Sequence, residues 1–306
     1  AVFLFLYSIS YSETLTDYLK LFSSFNSRIP GYEGNKKSAE YIEEKFKEIG
    51  LVNVKKEKFF TSIPIEKYSY IKVGNEEIKI YSLWPNLVRT TTLPPEGLEG
   101  KLFYAGKGDL KNLDGKDIEG CIGVLDFDSD DSWTTLAGFG VKGFIFLSSP
   151  DIERKEAEKK FLRIPVNIPR FYAGENSDKI KALTIKEEKV KLFSKVDWEN
   201  VPNYNIYGTI EGSDPKLKDE IILLESYYDS ISVVPSIAPG ATSACGISTL
   251  LKLAEFFANS QSKRTLVFLA TSSHFECLKG IDNFIQNHSR KEDPFSSRIP
   301  KKEKIL

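Results

Sequence analysis

The sequence predicts an α/β protein of two domains: a three-layer αβα unit on a mixed, largely parallel sheet, interrupted by a second unit rich in β-structure. Three observations carry this. Residues 220–225, EIILLE, and 265–270, TLVFLA, are short continuous apolar runs of the kind that form strands buried on both faces. Between them Ile247, Leu250, Leu251, Ala254, Phe257 and Ala258 recur at helical spacing. From about Phe59 to Trp198 the pattern changes to short strands separated by turns, and 306 residues leave room for both units.

The elements follow in order. Residues 1–9, AVFLFLYSI, are strongly apolar but too short to cross a membrane; they read equally as the tail of a signal segment and as a first buried strand or helix. Over residues 35–50, Ala39, Ile42, Phe46 and Ile49 form one helical face, with Asn35 expected to cap the helix and Gly50 to stop it. LVNVKKEKFF then alternates like an edge strand. The middle stretch offers YSYIKV, EEIKIYSL, GKLFYAG, GCIGVLDF, VKGFIFL and KVKLFSKV as strands and residues 151–160 as a polar helix, with Pro85, Pro94, Pro95, Gly106, Gly108 and Gly115 as breakers.

From Asn203 the pattern is βαβ, and a right-handed crossover makes its two strands parallel neighbours. Ligand sites in such sheets lie beyond the carboxyl ends of the strands, so residues 226–229 and 271–276 are expected on one rim. A third helix should turn Leu278, Ile281, Phe284 and Ile285 inward, and the apolar pair Ile305 and Leu306 reads as the start of a strand, as if the sheet ran on. The division expected is 1–58 with 200–306 as one domain and 59–199 as the other.

Composition removes several functions. With 42 basic and 43 acidic residues no global field favours nucleic acid. Cys121, Cys245 and Cys277 are too few for a disulfide framework; Cys245 and Cys277 should approach one cleft, where small buried groups are expected and pairing stays open. His274 and His288 are the only histidines, which starves any metal or triad scheme that needs several. DFDSDDSW lacks the glycine and final glutamate of a calcium loop and is expected to be a solvated loop. GKGDLKNLDGKD is turn chemistry rather than a phosphate loop.

The segments SRIPGYEGNKKSAEYIEEKFKEIGL, GLEGKLFYAGKGDLKNLDGKDIEGCIGVLDFD, NYNIYGTIEGSDPKLKDEIILLESYYDS, PGATSACGISTLLKLAEFF and KRTLVFLATSSHFECLKG, in this order, resemble the two-zinc exopeptidases. That family comprises the zinc-dependent aminopeptidases and glutamate carboxypeptidases, here with an inserted protease-associated domain at 59–199. The resemblance implies an exopeptidase-like α/β fold and a zinc pair bridged by a carboxylate, with a glutamate to take a proton from the metal-held water.

Residue by residue, the resemblance supplies little of that chemistry. The family's first histidine ligand falls on Tyr227, although its partner aspartate remains as Asp229. The bridging aspartate falls on Thr242, the catalytic and ligating glutamates fall on His274 and Phe275, and Glu276 follows them. Two later ligands are expected beyond Leu306. Phenylalanine has no donor atom, and neutral threonine and tyrosine are poor zinc ligands near pH 7.

The expectation is therefore a catalytically degenerate relative with no catalytic residue and no metal, acting as a peptide- or protein-binding module. Tyr227 and Phe275 would fill the space of metal and water, His274 would bond to loop backbone, and Glu276 would open a helix. The alternative is an active zinc aminopeptidase with an atypical or incompletely represented site. Membrane attachment through residues 1–9, and a secreted or membrane-anchored location, complete the expectations.

Overall fold

The computed structural model describes residues 13–150, 152–161, 167–186 and 189–288. Residues 1–9, Ile305 and Leu306, on which three of the expectations fall, lie outside the described residues. Helix α1 (Leu15–Ser24) opens with a capping box: the Thr14 hydroxyl accepts the Asp17 N–H and the Asp17 carboxylate takes the Thr14 N–H at 2.9 Å. Helix α2 (Glu33–Ile49) ends at Gly50, whose φ of 91° is the left-handed stop expected of it. Its cap is Tyr32, not Asn35. Asn35 is buried inside the first turn, where its amide donates to the Arg28 carbonyl and the Ser272 hydroxyl, both at 3.0 Å.

The chain then runs through β1 (Val52–Val73), β2 (Glu76–Lys79), β3 (Tyr81–Ser82), β4 (Leu98–Gly106), β5 (Ile122–Asp126), α3 (Ser132–Gly138), β6 (Gly143–Leu147), α4 (Arg154–Lys159), β7 (Arg170–Tyr172), α5 (Ser177–Leu183) and β8 (Lys189–Ile210). After these come β9 (Ile221–Tyr227), α6 (Ala241–Ala258), β10 (Thr265–Thr271) and α7 (Lys279–His288). Strands β1 and β8 are each 22 residues long and pair antiparallel over most of their length. Both run unbroken through 58/59 and 199/200. No glycine interrupts β1, and Pro64, which lacks an N–H, sits where β1 has β8 as its only strand partner among the described residues, so its missing donor breaks no further ladder there. The hydroxyl of Tyr32 meets that open edge, donating to the Pro64 carbonyl and accepting the Glu66 N–H, each at 3.3 Å.

The sheet is mixed. Its order is β2-β1-β8-β4-β5-β6-β7-β3, with β10 on the far part of β8 and β9 beside β10. Strands β9 and β10 are parallel from Ile221 opposite Thr265 to Tyr227 opposite Thr271, and β4 to β7 form a second parallel run. Within 59–199 the helices α3 and α5 were not foreseen; at 7 residues each they are too short to show a periodic face.

Strand β10 explains the layering. All seven of its residues are buried, and they alternate between two cores. Leu266, Phe268 and Ala270 face Phe22 of α1, Ile42 and Phe46 of α2 and Ile247 and Leu251 of α6, while Val267 and Leu269 face Tyr207 and Phe284 of α7. Helices on both faces of the sheet give the three layers, and each fully buried Phe or Leu stabilises them by about 1.5–3 kcal/mol. Further cores lie within 59–199, around Ile122, Val124, Ile145 and Leu192 and around Trp133, Phe144 and Phe146. Val233 and Val234, from the loop after β9, pack into the latter.

Helix α7 starts later than expected. Leu278 precedes it at φ 57° and is exposed, Ile285 is 38% exposed, and Phe284 supplies the buried contact. Among the described residues no helix is long and apolar enough to cross a membrane.

Candidate ligand cleft at the sheet rim

Because β9 and β10 are parallel neighbours, the residues that follow Tyr227 and Thr271 emerge on the same rim. Asp229 is fully buried there. Its Oδ2 accepts the His274 N–H at 2.9 Å, and its Oδ1 is buried without a hydrogen-bond partner among the described residues. Tyr228, equally buried, donates its hydroxyl to the Tyr204 carbonyl at 2.8 Å and pins the turn after β9 to the ribbon.

Three rings close over this turn. The Tyr227 and His274 rings stack with centroids 3.9 Å apart at 21°, and Phe275 stands edge-on to both, at 5.6 Å and 5.0 Å. His274 thus uses its backbone N–H for Asp229 and its ring for Tyr227; the loop-backbone bond expected of its side chain is replaced by the stack. Phe275 and Glu276 lie in a turn three or more residues ahead of α7, so Glu276 does not open a helix.

The electrostatics follow from burial. Asp229 is held well above the usual carboxylate range, first by loss of water and then by the negative charge of Glu276, with the N–H groups of His274 and Phe275 only partly offsetting this. Burial pushes Glu276 up to about 7, and its Oε2 is also buried without a partner among the described residues. On the other side Arg28, fully buried, donates to the carbonyls of Tyr228 at 2.9 Å, Phe22 at 2.7 Å, Gly240 at 3.1 Å and Pro239. Burial draws Arg28 down to about 10, opposed by the charge of Asp229. The sequence analysis uses SRIPG only as part of the resemblance and gives Arg28 no role; its one signal is an arginine between Ser27 and the fully buried Ile29.

The other candidates fare differently. Thr242 is exposed in the first turn of α6, and no contact joins it to Asp229, His274, Phe275 or Glu276 among the described residues. The helix start itself is close to the turn: a Cβ on Gly240 would lie 2.5 Å from Ser230 Cβ. Cys245 and Cys277 are free and exposed, which corrects the expectation of small buried groups: Cys245 falls on the outer face of α6, and Cys277 lies in the turn at φ 55°. The acidic loop is solvated but not idle, with Asp128 paired to Lys107 at 2.7 Å and Asp130 to Lys159 at 2.8 Å.

The donors at these positions do not fit a zinc pair. Phe275 has no donor atom, the Thr242 hydroxyl is not drawn into the cluster, and the His274 ring is engaged by Tyr227. Among the described residues no group of three His, Cys, Asp or Glu side chains could hold a metal ion.

A mixed sheet between helical layers, with a polar rim beyond a parallel strand pair, is an α/β architecture with its candidate site at the strands' carboxyl ends. The segment that carries this rim, residues 205–298, matches the family described as Peptidase family M28. A stretch of 94 residues is 34% identical to the Vacuolar membrane protease of Laccaria bicolor, covering 28% of this chain and 9% of that protein. In fold, the zinc aminopeptidase from Bacillus subtilis aligns over 91% of this chain and 66% of its own, with a TM-score of 0.59 and 21% identity. The peptidase M28 precursor from Shewanella amazonensis aligns over 90% and 67%, with a TM-score of 0.52 and 17% identity. The chain therefore spans about a tenth of that curated relative and about two thirds of these solved structures. Residues 205–298 are thus similar to family M28 and the fold is similar to that of the zinc aminopeptidases, in line with the resemblance of the sequence motifs.

Proposed function

We propose that this chain is a catalytically degenerate relative of the zinc aminopeptidases and that its rim binds a peptide or protein ligand instead of hydrolysing one. The observation that carries the proposal is the stack of Tyr227 on His274, closed by Phe275, at positions where the resemblance puts a metal ligand, the base and a second ligand. Packed rings offer a ligand apolar and edge contacts but no Lewis acid. Under this reading residues 59–199 act as a protease-associated domain that frames the cleft, and residues 1–9 attach the protein to a membrane.

A second reading, an active zinc aminopeptidase with an atypical site, is favoured by one feature. Asp229 Oδ1 and Glu276 Oε2 are two buried carboxyl oxygens without partners among the described residues, and such oxygens call for a proton or a cation. Metal content of the purified protein, followed by hydrolysis of aminoacyl-anilides with and without added zinc, separates the two. The binding reading expects substoichiometric zinc and no zinc-dependent turnover. Tight zinc with turnover of roughly 1 per second or more would sink it.

A further inference from the structure

We infer that Asn203 is a positioning residue for the cleft: through the Ser273 hydroxyl it sets the backbone turn that aims His274 at both Asp229 and Tyr227. Asn203 is fully buried on β8, opposite Phe59 of β1. A buried amide in a strand is unfavourable unless its groups are bonded. Both are: Oδ1 accepts the Tyr204 N–H at 3.1 Å, and Nδ2 donates to Ser273 Oγ at 2.5 Å.

Ser273 is the residue whose shape matters. It is fully buried and holds φ at 58°, a left-handed conformation that a non-glycine residue keeps only where its surroundings over-determine it. The very next N–H is the one His274 gives to Asp229, and the His274 ring is the one stacked at 3.9 Å on Tyr227. Two other asparagines hold the ends of this turn and not its aim. Asn35 bonds Ser272, and Asn205 donates to the Gly280 carbonyl at 2.8 Å. The turn closes on itself through Lys279 N–H to Ser273 O at 3.0 Å. Asn203 alone among the three grips the residue immediately before His274.

The inference deepens the proposed binding role, because it rests on the three-ring rim being the binding surface, but its test needs no ligand. The chain has two histidines, so the imidazole proton resonances of His274 and His288 can be followed side by side. In the native protein the His274 signals should be shifted by the Tyr227 ring. Asn203→Ala should remove that shift and leave His288 in place, and Ser273→Ala, which deletes the same bond from the loop side, should do likewise. The double variant should move His274 no further than either single one, with the two substitutions coupled by more than about 2-fold in the folding equilibrium. Asn205→Ala, which frees the helix end, should leave the His274 shift intact. Unchanged His274 signals in Asn203→Ala or Ser273→Ala, or an equal change in Asn205→Ala, would overturn the inference. A failure of the binding proposal would instead appear in the zinc and hydrolysis measurements and leave these spectra as expected.

Discussion

The two histidines mark two regions of one sheet that set the same groups, an imidazole and a carboxylate at least partly withdrawn from water, in opposite electrostatic states. On the α7 face, His288 Nε2 lies 2.8 Å from both oxygens of Glu57, which also accepts the Tyr207 hydroxyl at 2.9 Å. Burial raises Glu57, but the bonds and charge of His288 and the Tyr207 hydroxyl outweigh it and hold the carboxyl below its ordinary range. At the rim, Asp229 receives only backbone N–H groups from the neighbouring loop, the imidazole beside it is turned onto Tyr227, and both Asp229 and Glu276 are pushed up. Loss of water is common to both regions, partial at Glu57 and complete at Asp229. What differs is whether a ring nitrogen or a ring face is presented to the acid.

Helix α7 joins the two regions, with Gly280 near its start against the rim and His288 at its end. A Cβ on Gly280 would lie 2.1 Å from the Ser272 carbonyl oxygen and 2.9 Å from Asn205 Oδ1. Backbone on that side cannot retreat without moving the turn that carries His274. Gly280→Ala should therefore disturb both regions at once and destabilise by about 3 kcal/mol, read from urea unfolding. A loss below about 1 kcal/mol would mean that the turn is not held as tightly as its bonds suggest.

Breaking the α7-face region alone should have the next largest effect. Glu57→Ala leaves the buried Tyr207 hydroxyl and the His288 Nε2–H without their acceptor, a loss of about 2 kcal/mol at neutral pH. Because Glu57 is depressed in the folded state, its contribution is present above its ordinary value of 4.5 and fades as the pH falls through its folded value. The difference between native protein and Glu57→Ala should thus shrink in acid.

How far the sequence foretold these regions depends on what kind of signal each element carries. The β9-α6-β10 unit was legible because continuous apolar runs and a helical stripe are local patterns, and with it came the shared rim of Asp229 and His274. The 22-residue strands are harder to read whole, because each carries a proline, Pro64 and Pro202, that only an open strand edge tolerates without its N–H. Helix α1 carried its own signal in Thr14 and Asp17 and could have been found. Arg28 bonded to four carbonyls, the left-handed Ser273 and the face-on contact of Tyr227 with His274 depend on residues far apart in sequence. No local pattern encodes them.

The rim should respond to pH in the opposite sense to the α7 face. Glu276 holds its proton more tightly folded than unfolded, so its contribution is complete below its ordinary 4.5 and is lost as the pH rises through about 7. Glu276→Gln removes the ionisable group while keeping its shape. It should leave stability near pH 4 unchanged and raise it at pH 8 by about 1–2 kcal/mol, after allowance for partial solvent access. Urea midpoints across that range would test this; a variant less stable at pH 8 would mean that the ionised carboxylate has a partner that stabilises it.

The smallest expected effect is the sharpest test of the difference between a ring-filled rim and a metal site. Helix α6 has no acidic residue in its first turn and no side-chain cap on Gly240, so its first N–H groups meet no negative charge from its own turn. Thr242 is exposed at its second residue, and Thr242→Asp puts a carboxylate where the helix dipole favours one, worth about 0.5 kcal/mol. The same substitution restores the carboxylate that the resemblance assigns to bridging two zinc ions. If rings occupy the remaining ligand positions, the stability gain should appear in urea unfolding and be identical with and without zinc, because one added carboxylate, with Phe275 and a stacked His274 at other ligand positions, completes no coordination sphere. If the rim is a metal site short of one donor, zinc should add stabilisation that grows with its concentration beyond the dipole effect. That outcome would return Tyr227, His274 and Glu276 to the ligands of a working centre and remove the distinction drawn between the two regions.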